Sequence, residues 1–464
     1  MDKTIDKHPL QGIQTLCRYG FDNDSLETSR AALKVLANVL LLDSDARQIY
    51  VDLGYASKAA ERMKVKHSKQ MNPSPRPYSV QNDNREDELL TSRVLFLSTY
   101  DTKLDFDDLF NNHQLAESMN QVRIKVLHFS KTTIYQAQNI TRHSESYSKS
   151  NTQTDPTPMQ TQALSETMKL LFNLTKFYPQ QAPKLSDSLP NILKILSRIP
   201  LPSPVLQPPV TFLINSLLNF DFPPSTRPQS TPNSVFPPFN PNTNATRLIQ
   251  ILNLAIRHYK DEDLESACTP LLTLLRKLHI HAPPAVSTHM RTVLLPSNAE
   301  RAQPLGKSDS LASYLLRLST SPAAPNIRES VSSLLFELSD SDATTFVRNV
   351  GYGFASGYLM THNIPIPSTT PSTTSTTSTS NSHPQQDLGE KVTTTTSGEE
   401  INPITGQRRD MEPRDEGPEM TDEEKEQEAE KLFVLFERLK ATGVVEVVNP
   451  VERAVREGRF EEVE

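Results

Sequence analysis

The feature that most constrains this chain is a helical period that keeps returning. It appears in 32-ALKVLANVLLLD-43, 93-RVLFLSTYD-101, 168-MKLLFNLTKFYP-179 and 212-FLINSLLNFDFP-223. It comes back in 248-LIQILNLAIRHY-259, 271-LLTLLRKLHIH-281, 311-LASYLLRLST-320 and 331-VSSLLFELSDSD-342. Each segment sets apolar residues at i, i+3, i+4 and i+7 and then breaks on a polar residue or proline. That pattern predicts a helix of about three turns with a broad apolar stripe. No alternating run of comparable quality competes, so no sheet is expected. A helix pair of this size cannot bury its stripe alone and must stack on neighbours. About eight such helices therefore predict a helical repeat rather than an irregular bundle.

The rest of the chain interrupts this array. Loops are expected at 66–87, 141–160 and 223–244, where Pro, Asn and Ser leave little to bury. After residue 362 the character changes: 368-STTPSTTSTTSTSNS-382 has thirteen Ser or Thr in fifteen residues and cannot build a core. The predicted organisation is a solenoid over 1–362, a Ser/Thr-rich disordered linker over 363–400 and a C-terminal arm over 401–464, with a helix at about 422–441. Residues 410–430 hold eleven Asp and Glu against Arg414 and Lys425, so the arm is acidic while the remainder of this −7 chain is near neutral. An acidic arm of this kind seeks basic protein surfaces, not phosphates.

Three of the helical stripes carry an asparagine: Asn38, Asn173 and Asn219. Asn is a mediocre helix former, and a buried amide must satisfy several hydrogen bonds. Two readings stay open from the residues alone. The side chain bridges to the next repeat, or it lines an inner groove and grips a peptide backbone.

The search for chemistry finds no catalytic constellation. His279 and His281 form HxH, too few ligands for a metal, so no metal and no cofactor is expected. The triplet 306-GKS-308 would end a phosphate loop only with a glycine at the position that Arg301 occupies. The stretch 351-GYGFASG-357 follows a helix and reads as a helix–helix turn whose glycines let backbones approach closely. Scattered basic residues without interleaved aromatics argue against nucleic acid. Cys17 and Cys268 form no framework, which suits a reducing compartment. The start MDKTIDKHPL has no apolar core of a signal peptide, and no run of about 18 apolar residues spans a membrane. The expectation is a cytoplasmic monomer that binds rather than catalyses.

The arm ends in 420-MTDEEKEQEAEKLFVLFERLKATGVV-445. Thr421 is placed to cap this helix with Glu424 completing a capping box, and Gly443 fits its end. Ala429, Leu432, Phe433, Phe436 and Leu439 form its stripe. Two phenylalanines on a lone helix need a partner. Ser397 precedes 398-GEE-400, so acid at +3 makes it a candidate for an acidophilic kinase.

In 346-FVRNVGYGFASGYLMTHNI-364, the NPITG motif at 402–406 and the MTDEEK helix, in that order, the chain resembles the synembryn family. These are non-receptor guanine nucleotide exchange factors and chaperones for heterotrimeric G-protein α subunits (Gα). The stretches 93-RVLFLSTYDTKLDF-106 and 170-LLFNLT-175 fit the same family, and the likeness is to fungal members. It implies an all-α, armadillo/HEAT-like superhelix whose concave face holds the C-terminal helix of Gα. On that basis Asn38, Arg93, Asn173 and Asn219 become groove candidates, and Phe433, Phe436 and Leu439 are expected to meet the Gα nucleotide domain. In the family, phosphorylation near Ser397 promotes activity by docking the arm on basic residues. The family has further helices before the part that matches 10-LQGIQTLCRYG-20, so this chain is expected to start one or two helices late. The rival reading is an armadillo-type peptide-binding scaffold without exchange activity, which needs neither the NPITG turn nor the terminal helix.

Overall fold

The structure is a computed structural model. It describes residues 7–63, 78–120, 122–124, 135–137, 140, 143–144, 156–222, 233–365, 400–402, 404–412, 421, 427 and 430–431. The chain divides into two compact units, Met1–Asp410 and Met411–Glu464. The first holds helices α1 (Lys7–Phe21), α2 (Leu26–Leu42), α3 (Ser44–Asp52), α4 (Tyr55–Arg62), α5 (Tyr78–Leu97), α6 (Phe106–Asn111) and α7 (Leu115–Asn120). Next come α8 (Pro158–Phe177), α9 (Ala182–Leu185), α10 (Leu189–Arg198), α11 (Val210–Leu218), α12 (Thr243–His258) and α13 (Asp261–Ile280). The series ends with α14 (Pro284–Leu294), α15 (Leu311–Leu318), α16 (Pro325–Leu338), α17 (Ala343–Val350) and α18 (Tyr352–Thr361).

Local signals start these helices. Ser25 caps α2 by accepting from Thr28 N at 3.4 Å, and α2 then buries Leu33, Leu36, Ala37 and Leu40 at helical spacing. Thr157 and Gln160 form a full capping box ahead of α8, with Pro158 in its first turn. α8 buries Leu164, Met168 and Leu171 along one face. Each fully buried leucine contributes on the order of 1.5–3 kcal/mol, so stacking rather than intrinsic propensity holds the helices.

The stripes meet in chain order. α2 packs on α5, α5 on α8, α8 on α11, α11 on α13 and α13 on α16. A second layer backs this row: α1 lies on α2, α10 on α11, α12 on α13, and α14 and α15 on α16. One continuous core runs from Ile13 to Leu359. This is the all-α, armadillo/HEAT-like repeat that the period predicts.

Three local readings differ. Strands β1 (Val122–Ile124) and β2 (Tyr135–Ala137) pair antiparallel, with Val122 opposite Ala137, where the sequence predicts no sheet. Three residues per strand are too few for alternation to register. The loop expected at 66–87 ends early, because α5 begins at Tyr78. Tertiary ion pairs hold the part of α5 around residues 86–87: Lys34–Glu86 at 2.7 Å, Arg30–Asp87 at 3.1 Å and Arg62–Asp87 at 3.0 Å, with Arg85–Glu88 at 3.0 Å inside the helix. Within the loop expected at 223–244, Val235 and Phe236 drop into the core, and Asn244 Nδ2 donates to Val235 O at 2.8 Å.

Candidate functional site

The row α5–α8–α11 presents half-buried aromatic rings interleaved with lysines. Lys169 of α8 lies between two rings, 5.7 Å from the centroid of Phe96 in α5 and 4.9 Å from that of Phe212 in α11. Its ammonium is steadied by Glu166 of the same helix at 2.9 Å. Phe96 meets Tyr100 edge-on at 5.3 Å, and Tyr100 meets Phe177 at 6.3 Å. Lys176 stands over Phe172 at 5.7 Å and over Phe177 at 5.6 Å. Phe177 is 45% exposed. Rings held by cations are flat, apolar and positively rimmed, which suits an apolar helix carrying negative charge.

The four groove candidates separate. Arg93 lies one turn before Phe96 on α5, is half-buried, and makes no hydrogen bond or ion pair among the described residues. Asn38 is exposed on α2 and likewise unpartnered among the described residues. Asn173 is 2% exposed, and its Nδ2 donates to Thr99 Oγ1 at 2.7 Å. Asn219, the C-cap of α11, donates from Nδ2 to Phe172 O at 3.2 Å and to Thr175 Oγ1 at 3.1 Å. These two amides join one repeat to the next. Asn215, which sequence reasoning misses, lies one turn before Asn219, and its buried Oδ1 accepts no hydrogen bond among the described residues. Lys277 extends the series of links. It donates to Leu218 O at 2.8 Å and to Phe220 O, and burial pulls its ammonium below the usual lysine value.

A second constellation closes the end of the array. Gly351 separates α17 from α18 at φ +84°, and residues 400–402 and 404–410 lie against that junction as a strap. Within the strap, Asn402 N donates to Gln407 O and Gly406 N to Asn402 O, both at 2.8 Å. Asn402 Oδ1 accepts from Ile404 N at 2.9 Å, closing a tight turn. Gly353 N donates to Ile404 O and Leu305 N to Thr405 O, both at 3.3 Å. Arg301, only 5% exposed, holds both sides. Its Nη1 donates to Gly406 O at 2.8 Å, and its Nη2 to Asn349 O at 2.7 Å and Arg348 O at 3.2 Å. Its own carbonyl accepts from Arg408 N at 2.8 Å. Burial lowers the Arg301 pKa from the usual guanidinium value.

Two glycines are required for this approach. Gly406 sits at φ +68°, and a Cβ there would meet Leu305 Cδ1 at 2.4 Å. A Cβ on Gly351 would meet Gly406 N and Ile404 O at 3.2 Å. The glycine turn and the NPITG motif, separate in the sequence, are thus two halves of one contact.

A family model described as "Guanine nucleotide exchange factor synembryn" matches residues 9–459. The chain belongs to the synembryn family. A synembryn-like chaperone of Schizosaccharomyces pombe is 34% identical over 174 residues, 37% of this chain and 32% of that protein. Chaperone Ric-8A of Macaca fascicularis and of Pongo abelii are each 26% identical over 211 residues, 44% of this chain and 36% of theirs. The matched segments therefore span about a third of the length of these curated relatives. An engineered protein of known crystal structure overlaps at TM-score 0.25 and 11% identity over 75% of this chain and 88% of its own, a likeness too weak to bear on the fold.

Other candidates in this synembryn-family chain lie elsewhere. Ser397, Phe433, Phe436 and Leu439 fall outside the described residues. His279 Nε2 lies 3.3 Å from Glu337 O, and burial lowers its pKa. Among the described residues no group of three or more His, Cys, Asp or Glu could hold a metal, and no helix is long and apolar enough to cross a membrane.

Proposed function

We propose that this chain is a guanine nucleotide exchange factor and folding chaperone for heterotrimeric Gα subunits. The observation that carries this reading is the aromatic and cationic face of α5, α8 and α11, on a chain of the synembryn family. That face suits the C-terminal helix of Gα, which would leave its own domain to lie there. Arg93 and Asn38 offer polar groups to it; Phe433, Phe436 and Leu439 of the arm are assigned to the Gα nucleotide domain. Ser397 is the proposed phosphorylation site.

No covalent chemistry is involved. A factor that binds nucleotide-free Gα more tightly than the nucleotide-bound form lowers nucleotide affinity by the same factor, by linkage. A hundredfold preference corresponds to about 2.7 kcal/mol. A folding Gα is also nucleotide-free, so the same preference gives the chaperone role. The protein acts in this reading as a cytoplasmic monomer that reaches the membrane through its partner.

The test is GDP release from purified Gα at saturating concentrations of this protein. Acceleration is expected, and an unchanged rate overturns the exchange reading. Deleting residues 401–464 separates the two classes: a scaffold keeps its ligand affinity and has no exchange to lose, whereas an exchange factor loses most of its activity.

A further inference from the structure

We propose that Arg301 is a positioning residue for nucleotide exchange, clasping the 400–410 strap to the α17–α18 junction and so fixing where the chain sets out towards the C-terminal arm. This rests on the exchange reading above. One guanidinium serves two separate sets of acceptors. Arg348 O and Asn349 O belong to the last turn of α17, whose carbonyls have no helical partner. Gly406 O belongs to the strap. A planar fork with five donors reaches both sets at once; a lysine, with a single compact head, does not. Gln407 Nε2 adds a bond to Ala302 O at 3.2 Å, so the strap is tied to both ends of the 301–305 segment.

The geometry makes the strap sensitive to single atoms. A Cβ at Gly406 would force the Leu305 side chain to shift, and the φ of +68° is strained for an L side chain. Asn402 closes the strap turn through its own side chain. Neither residue lies in a repeat helix; Asn402 can be altered without meeting the core, whereas a side chain at Gly406 pushes on the core residue Leu305.

The consequence for the arm is a matter of tether length. The helix expected at 422 begins about 12 residues beyond the strap but about 57 beyond Pro365, the last described residue after α18. A tether about fivefold longer lowers the effective concentration of its end about tenfold, by the −3/2 power of length. Holding the strap therefore raises the local concentration of the arm at its target by about that factor.

The experiment compares the full-length chain with Gly406→Ala, Asn402→Ala and Arg301→Lys. Three quantities are measured: GDP release from Gα at subsaturating exchange factor, affinity for a synthetic peptide of the Gα C-terminal helix, and amide hydrogen exchange over 400–410. Release is expected to fall about tenfold in each variant, the figure the tether length sets. Peptide affinity should stay within about twofold while the strap amides lose protection, because the peptide face lies on other helices. Wild-type release from a variant whose strap is unprotected overturns the proposal. So does a parallel loss of peptide affinity, which would make the clasp merely structural. If the unaltered chain is itself inert, the exchange reading fails first and this inference falls with it.

Discussion

Two arginines define the two ends of this molecule's chemistry. Arg93 stands on the face of α5 beside Phe96 with no hydrogen bond or ion pair among the described residues, whereas Arg301 is buried and donates to three carbonyl oxygens. The asparagines divide the same way: Asn38 is exposed and unpartnered among the described residues, while Asn173 and Asn219 bind neighbouring helices. Polar capacity used inside the fold marks architecture. Capacity left open beside half-buried aromatic rings, as at Arg93, suits a surface for an outside partner.

The largest effect should come from inverting the open face. Lys169→Glu combined with Lys176→Glu replaces both cations that stand over the Phe96, Phe212, Phe172 and Phe177 rings. Interface hot spots lose about 2 kcal/mol or more on truncation, so affinity for the Gα tail peptide should fall at least about thirtyfold. Fluorescence anisotropy against labelled peptide, repeated across salt concentrations, measures it. A change below about threefold would move the binding face elsewhere on the solenoid.

How much of this is legible in the sequence follows from what periodicity can and cannot see. The stacked helices are legible, because the spacing of Leu33, Leu36, Ala37 and Leu40 alone puts them on one face of α2. The part of α5 around residues 85–88 is not, because Arg30, Lys34 and Arg62 hold it through charges that carry no period. Nor is the role of the asparagines: sequence places Asn173 and Asn219 in stripes, but only packing shows whether the amide faces a neighbour or a groove. The glycine turn at 351 is legible as a close backbone approach. Its partner Gly406 lies 55 positions away, and no local rule joins them. In the sequence Arg301 stands out only as the residue that spoils a phosphate loop. The signal that could mark it is an arginine just ahead of a short leucine segment, too common to be specific.

The asparagines then supply an intermediate effect that sharpens the contrast. Asn173→Ala and Asn219→Ala each remove inter-repeat hydrogen bonds, and each should cost about 1–2 kcal/mol in urea denaturation. Peptide affinity should not change. A loss of affinity without a loss of stability would return these residues to the groove and erase the distinction drawn from Arg93 and Arg301.

The smallest effect tests the clasp from its far side. α17 is the helix whose C-terminal carbonyls Arg301 caps, and at its other end Asp342 accepts from Thr345 N at 2.7 Å. A carboxylate at the N-terminus and a guanidinium at the C-terminus both complement the helix dipole. The backbone hydrogen bond from Thr345 holds the Asp342 carboxyl below its usual value. Because the folded pKa lies below the unfolded one, near 3.9, the stabilisation is fully present above that pH and is lost as pH falls through the depressed value. Asp342→Asn keeps an acceptor but removes the charge. Its Tm should sit below wild type by on the order of 1 °C at pH 7, and the two should converge towards pH 3. Thermal melts across that range measure the convergence. A constant difference down to pH 3 would show that the charge of Asp342 contributes nothing, leaving the C-terminal cations Arg301 and Arg348 to complement the dipole of α17.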